Sequence, residues 1–436
     1  MTYQQTVDYL YTRLPMFSRI GSPALKKDLG NTLELCKRLG DPQHNFRTVH
    51  VAGTNGKGSV SHMLAAILQT AGYKTGLYTS PHLKDFRERI RINGRMISED
   101  QVILFTESQR QNIEEIEPSF FELTVAMAFD YFSREKVDVA IIEVGLGGRL
   151  DSTNVIIPEL SVITNISYDH VNILGHTLPE IAFEKAGIIK PEVPVVIGEY
   201  QEEVKDVFLK RAQEMHSPLS FAAKEWSVST LPGGSPEMLP VRVKPIIVPE
   251  SSGLLSLPES LELDLTGLYQ LKNIKTVLSS ILRLNARGYG IQGNAIVEAL
   301  KNVKGLTGLM GRWQVLSKKP LIICDTGHNE GGIQEVLKNI REIPFHALHI
   351  VLGMVKDKDS STVLSLLPKD ACFYFCQPSI ERAKPAKVLA EEARLAGLTG
   401  TYYPSVAEAL KAAKYAAKEN DLIYVGGSTF VVAEVV

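Results

Sequence analysis

Apolar positions along this chain recur in two rhythms. Runs rich in β-branched residues, "TVHV", "KTGLYTS", "VDVAIIEVG", "LSVITNIS" and "VPVVIGE", alternate with helix-like stretches such as Glu122–Tyr131 and Leu178–Gly187. Near-continuous apolar strands separated by helices predict an α/β fold whose largely parallel sheet is covered on both faces. Ahead of them, Leu29, Leu33, Cys36 and Leu39 fall on one helical stripe. From about Gln201 to Leu263 the texture changes to "STLPGGSPEMLP" and "IIVPESSGLLSLPES", which predicts turns and antiparallel hairpins. Helices resume at Leu268–Asn285 and Ile296–Val303. The next stretch, "KGLTGLMGRW", has closely spaced glycines and no apolar period, so it reads as a linker. A second strand-and-helix series follows, from "PLIICDTGHNEGGIQEVLKNI" to "NDLIYVGGSTFVVAEVV".

Length supports this division, since the chain has 436 residues and single cores rarely grow beyond ~250–300. The expected units are 1–303, a P-loop ATPase-like domain with a mostly parallel sheet and a small β-rich subregion; a linker, 304–311; and 312–436, a smaller Rossmann-like α/β domain. Forty-seven Lys plus Arg against 49 Asp plus Glu leave a net charge of −2. That balance carries no footprint for nucleic acid or an anionic membrane and points to small-molecule partners. Cys36, Cys324, Cys372 and Cys376 lack paired metal-site spacing. Neither a signal peptide nor a long apolar span is evident, so a cytoplasmic protein is expected.

The chemistry starts at "RTVHVAGTNGKGSVSHMLAAIL", a strand, a glycine-rich turn and a helix. Such a turn aims backbone N–H groups at one point, where the helix N-terminus adds about half a positive charge. The P-loop pattern G-x-x-x-x-G-K-[ST] is nearly met, with Val51 at its first glycine and Gly58 inserted between Lys57 and Ser59. Glu143 closes a buried-strand run, where it is either a Mg²⁺ carboxylate or a surface acid. Ser80, His82, Asp169 and His170 stand at other strand ends that a parallel sheet would gather. Oxygen ligands with an imidazole suit Mg²⁺ or Mn²⁺, although a histidine taken singly is more often structural than a ligand. Lys185, on a helix, reads by itself as a solvated charge.

Taken in order, "HVAGTNGKGS", "TSPHL", "FFELTVAMAF", "EVGLGGRLDSTN", "ITNISYDH", "AFEKAGIIK", "LYQLKN", "GR" and "DTGHN" resemble the Mur ligase superfamily. Within it they resemble the folylpolyglutamate synthases and bifunctional dihydrofolate synthase/folylpolyglutamate synthases. The resemblance implies that Asn55, Gly56, Lys57, Gly58 and Ser59 cradle ATP phosphates, with Asn273, Arg312, Asp325 and His328 completing the nucleotide site. It implies two Mg²⁺ sites, Mn²⁺ being possible, held by Ser80, Glu143, His170 and Lys185, the lysine carbamylated by CO₂. Lys57, Lys185 and His170 are then the catalytic set. Ser119, Phe120, Phe121 and Glu122, with Leu150, Asp151 and Ser152, match a pterin-side pocket. Tyr269, Met310 and Thr326-Gly327 depart from residues common in relatives.

The implied activity is ATP-dependent addition of L-glutamate to dihydropteroate, to folates, or to both, through an acyl phosphate. A monomer with only small-molecule substrates is expected. One rival, a murein peptide ligase, expects a further N-terminal domain, whereas here the loop begins at Gly53. The other rival, a nucleotide-binding switch, explains Lys57 but not Ser80, Glu143, His170 and Lys185 together.

Overall fold

A computed structural model describes residues 1–21, 28–246, 256–356 and 360–436. Its first sheet has eight strands: β1 Arg47–Ala52, β2 Thr75–Tyr78, β3 Ile90–Ile92, β4 Arg95–Met96, β5 Val139–Glu143, β6 Leu160–Ile163, β7 Val195–Ile197 and β8 Leu219–Phe221. They are ordered β4-β3-β2-β5-β1-β6-β7-β8, and all pairings from β2 to β8 are parallel. Because side chains alternate across a strand, Val49, Val51, Val139 and Ile141 pack on one side with helices Lys57–Thr70 and Gln270–Ala286. Ala140 and Ile142 face the other side, with helix Phe120–Arg134. Register sets Glu143 beside Val51, so the last residue of β5 lies at the edge where β1 enters its glycine loop.

Three antiparallel strands, β9 Trp226–Thr230, β10 Leu239–Pro245 and β11 Ser260–Leu263, form a small second sheet. The hairpin expectation for Gln201–Leu263 needs correction in its first part, where helix Lys205–Glu214 and parallel β8 add one more α/β unit. The third sheet contains β12 Gln314–Lys318, β13 Leu321–Cys324, β14 Leu348–Leu352, β15 Cys372–Phe375, β16 Gly400–Tyr402 and β17 Leu422–Gly426. Its order is β12-β13-β17-β14-β15-β16, with β12 alone antiparallel to its neighbour. The molecule is therefore α/β, with a large N-terminal domain around a mostly parallel sheet and a C-terminal domain around a mixed one.

Two local expectations also change. In helix Gly30–Arg38 the inward residues are Thr32, Leu35 and Cys36, while Leu33 is 50% exposed, so the true stripe is rotated from the expected one. The first part of the segment read as a linker, 304–311, lies in a short helix, Val303–Thr307, whose Val303 and Thr307 are buried. No helix among the described residues is long and apolar enough to cross a membrane.

Candidate active site

The loop after β1 is glycine-rich for identifiable reasons. Gly53 has φ 141° and a Cβ there would collide with the Thr164 hydroxyl; Gly56 has φ 85° and faces the Asn273 amide. The Thr164 hydroxyl donates to Asn55 O at 2.6 Å, and the Asn55 N–H donates to Asn165 Oδ1 at 2.9 Å, which stitches the loop to the end of β6. Helix Lys57–Thr70 then starts without a side-chain cap, leaving its first-turn N–H groups to an outside acceptor. Gly58 sits where a Cβ would lie 3.1 Å from Arg312 Nη2 and 3.8 Å from Glu143 Oε1. The inserted glycine thus makes room for an arginine from the C-terminal domain. At the next residue, Ser59 Oγ accepts from Gln270 Nε2 at 3.2 Å, and Gln270 Oε1 accepts from Asn273 Nδ2 at 2.7 Å.

Charges converge on this loop. Glu143 is 4% exposed, and its Oε2 accepts the Ser80 N–H at 3.2 Å. Desolvation pushes its pKa up, opposed by Lys57 and Arg312. Lys57 Nζ donates to Gly53 O at 3.1 Å and Thr54 O at 3.2 Å. The reading of Lys185 as a solvated charge is overturned, since it is 3% exposed and donates to the same Gly53 O at 2.9 Å. Its helix, Leu178–Ala186, opens with a Thr177/Glu180 capping box and turns Ile181, Ala182 and Lys185 inward. Burial, with Lys57 adding to it, brings the Lys185 pKa down to about 7.

The C-terminal domain closes on the loop from the other side. Asn329 Nδ2 donates to Asn55 Oδ1 at 3.0 Å and to Asp169 Oδ2 at 3.1 Å, while Asn55 Nδ2 donates back to Asn329 Oδ1 at 3.1 Å. His328 Nε2 lies 3.4 Å from Asp169 Oδ2. His170, at φ 49°, has its Nε2 3.8 Å from Asp169 Oδ1 and its ring 5.6 Å from that of Phe17.

Beside these groups opens a cleft of ≈ 820 Å³. Loops after β2 and β5 and the start of helix Phe120–Arg134 form one wall, and Gly427–Phe430 of the C-terminal domain forms part of the other. Ser80, His170 and His328 line it together with Phe121, Leu150 and Ser152.

Comparison with known proteins adds a family to this geometry. Residues 51–229 match the Mur ligase middle domain and residues 311–429 the Mur ligase glutamate ligase domain. The dihydrofolate synthase/folylpolyglutamate synthase of Bacillus subtilis is 30% identical over 445 residues, covering 99% of this chain and 98% of that one. The chain belongs to the folylpolyglutamate synthase family of Mur ligases. A probable bifunctional folylpolyglutamate synthase/dihydropteroate synthase of Haloferax volcanii is 31% identical over 100% of this chain, which spans only 50% of that relative. A second archaeal relative, from Halobacterium salinarum, is likewise spanned for about half its length, 48%. Among solved structures, a bifunctional folylpolyglutamate synthase/dihydrofolate synthase with Mn, AMPPNP and L-glutamate bound superposes with a TM-score of 0.82 at 28% identity, over 100% of this chain and 97% of that one.

In this folylpolyglutamate synthase family member the expected site residues fall into groups. Ser80 and Glu143 touch; Lys185 and Lys57 share the Gly53 carbonyl; His170 stands with Asp169 and Phe17. Among the described residues no three His, Cys, Asp or Glu side chains cluster as a metal centre. Mg²⁺ bound against phosphates needs only one or two protein oxygens, and buried Glu143 beside Ser80 fits that demand. Asp325 is committed more fully than expected: its Oδ2 accepts from Tyr269 Oη at 2.6 Å and Trp313 N at 2.7 Å, and its Oδ1 from Gly327 N at 2.7 Å. Tyr269, a departure from the family pattern, therefore ties Asp325 to the N-terminal domain.

The expected pterin-side residues separate in a similar way. Ser119 and Glu122 form the capping box of their helix, with Asn31 Nδ2 also donating to Glu122 Oε2 at 3.2 Å, so their polar atoms hold the wall rather than face out of it. Phe120 is buried against Tyr11 at 5.5 Å and Phe86 at 5.8 Å. The Asp151 carboxylate accepts from Leu146 N at 2.8 Å and Thr153 N at 3.0 Å, bracing its own loop. Residue-by-residue reading missed Asn329, although it lies within "DTGHN"; Asp169 was a strand-end candidate from its position, although the resemblance gave it no role beside His170. It also missed Arg89, a buried arginine on the cleft that makes no ion pair among the described residues and donates from Nε to His82 Nδ1 at 2.7 Å. A basic residue inside the strand-like "RERIRI" was the available signal.

Proposed function

We propose that this chain is an ATP-dependent ligase that joins the amine of L-glutamate to the carboxylate of dihydropteroate, of folates, or of both. The observation that carries the reading is the convergence at Gly58 of Lys57, Glu143 and Arg312, contributed from both sides of the domain boundary. Phosphates of ATP lie on the first-turn N–H groups of helix Lys57–Thr70, with Lys57 and Arg312 neutralising them. Asn273, Asp325 and His328 lie round the rest of the nucleotide. The pteroate carboxylate enters through the cleft past Phe121, and its oxygen attacks the γ-phosphorus as the bond to the β-bridging oxygen breaks and ADP leaves. The amine of glutamate, as its free base, then attacks the acyl carbon; phosphate departs and the nitrogen gives up its extra proton. A divalent cation held by Ser80 and Glu143, with His170 and a carbamylated Lys185 for a second, would neutralise charge on the transferring phosphoryl oxygens. Burial with a pKa of about 7 leaves much of Lys185 as the neutral amine that CO₂ requires.

In this reading residues 1–303 and 312–436 are separate domains and 304–311 is their hinge. Asn329 and Arg312 bring the second domain over the phosphate loop and exclude water from the acyl phosphate. The enzyme works as a cytoplasmic monomer. Product mass spectrometry after incubation with ATP, Mg²⁺, L-glutamate and either dihydropteroate or tetrahydrofolate tests the proposal. Glutamylated product with matching ADP supports it, and the choice of acceptor separates the bifunctional from the folylpolyglutamate-only enzyme. ADP release without any glutamylated product would replace it with a nucleotide switch.

A further inference from the structure

A second cavity of ≈ 630 Å³ shares no lining residue with the cleft. Its walls come from β3–β4 through Arg91 and Met96, from the hinge through Lys304 and Leu309, and from β12 through Leu316. It therefore touches both domains and the segment between them.

Two cations, Arg91 and Lys304, line it. Arg91 is 6% exposed and makes no ion pair among the described residues; its Nη1 reaches Gly94 O at 3.4 Å and its Nε has no partner. The Lys304 ammonium likewise makes no ion pair among the described residues, and burial pushes its pKa down. Asp264, whose Oδ2 accepts the Lys304 backbone N–H at 2.7 Å, attracts the Lys304 ammonium; the other acids nearby have partners of their own. Glu88 accepts three backbone N–H groups between 2.8 and 2.9 Å, Asp85 pairs with Arg87 at 2.6 Å, and Glu237 pairs with Lys318 at 2.7 Å. A buried guanidinium without an ion pair is costly and invites an anion, while Met96, Leu309 and Leu316 offer an apolar body somewhere to lie.

The cavity is also wired to the phosphate loop. Gly308, at φ 69°, lies where a Cβ would be 2.9 Å from Arg91 Nη1. Its neighbour Thr307 has Oγ1 2.8 Å from Nδ1 of His62, which sits on helix Lys57–Thr70.

We propose that this hinge cavity binds a small organic carboxylate with a short apolar body, and that occupancy tightens nucleotide binding by holding the domains in the arrangement described above. The binding claim stands apart from the ligase reading; only the kinetic arm rests on it. Calorimetric titration of the full chain with hexanoate is the test, with inorganic phosphate as the parallel probe. Hexanoate should bind saturably, bind at least as well in the presence of AMPPNP, and weaken about tenfold in Lys304→Met and in Met96→Trp, the latter an exposed position that fills the cavity without opening the core. In the same wild-type protein, hexanoate should lower the KM for ATP by about fivefold, and in neither variant. The site is refuted by no saturable heat, by binding of phosphate alone, by displacement with AMPPNP, or by equal affinity in both melting-competent variants. Binding without a KM change in a glutamylating enzyme would refute the coupling.

Discussion

Glu143 sets a buried carboxylate against Lys57 and Arg312, so an isosteric neutral replacement removes the foremost carboxylate facing Lys57 without changing shape. Glu143→Gln should lower turnover by at least about a hundredfold, the scale on which a preorganised electrostatic contact acts. Steady-state assays beside circular dichroism check it, and near-wild-type turnover would remove Glu143 from the site. Gly58 makes a finer prediction. A Cβ 3.1 Å from Arg312 Nη2 forces the guanidinium to give by a few tenths of an ångström. Gly58→Ala should therefore raise the KM for ATP by about tenfold with little change in melting temperature. The phosphate loop and Glu143 were legible through their order among the other motifs, since glycine after a strand and an acid at a strand end each have a bland use when taken alone. Lys185 was not, because a lysine's burial is decided by which way its helix rolls, and that is a tertiary matter.

At the scale of elements, the strands lining the site announced themselves through β-branched runs, and β1, β2, β5, β6 and β7 lie where those runs stand. Less legible were pieces whose state depends on neighbours. The short helix Val303–Thr307 forms because Val303 and Thr307 bury against helix Lys57–Thr70, which outweighs a sequence rich in glycine. β12 is short and half-buried along its length, so it lacks the apolar run that marked the others. The cleft wall shows how an element and a site share residues. Ser119 Oγ accepts Glu122 N at 3.2 Å while Glu122 Oε2 accepts Ser119 N at 2.6 Å. Loss of such a cap costs about 1 kcal/mol. Ser119→Ala should lower the unfolding free energy by that amount, read as a urea midpoint lowered by that energy divided by the m-value, with a KM for the pterin substrate that rises only as far as the wall loosens. An unchanged midpoint with a large KM increase would reassign Ser119 from scaffold to direct contact.

For the molecule as a whole, pH acts through imidazoles locked inside the N-terminal domain. His50 is fully buried beside Thr153 Oγ1 at 2.8 Å, and burial brings its pKa down to about 3; His62, buried against Thr307, is likewise held well below the ordinary value. In the unfolded chain both titrate near the ordinary value of 6.5. As pH falls below that value the unfolded state takes up protons that the folded state refuses, so folding is progressively disfavoured until the folded pKa is reached. Each such group removes about 1.4 kcal/mol of stability per pH unit in that window. Denaturant titrations at pH 7.5 and 5.5 should show the loss, and His50→Gln, whose amide can still donate to Thr153, should flatten it by about 1.4 kcal/mol at the lower pH. Identical losses in the variant and the parent would mean that His50 takes its proton without unfolding. The buried chain behind the loop after β5 would then have to open in the native state, and Asp151 with it.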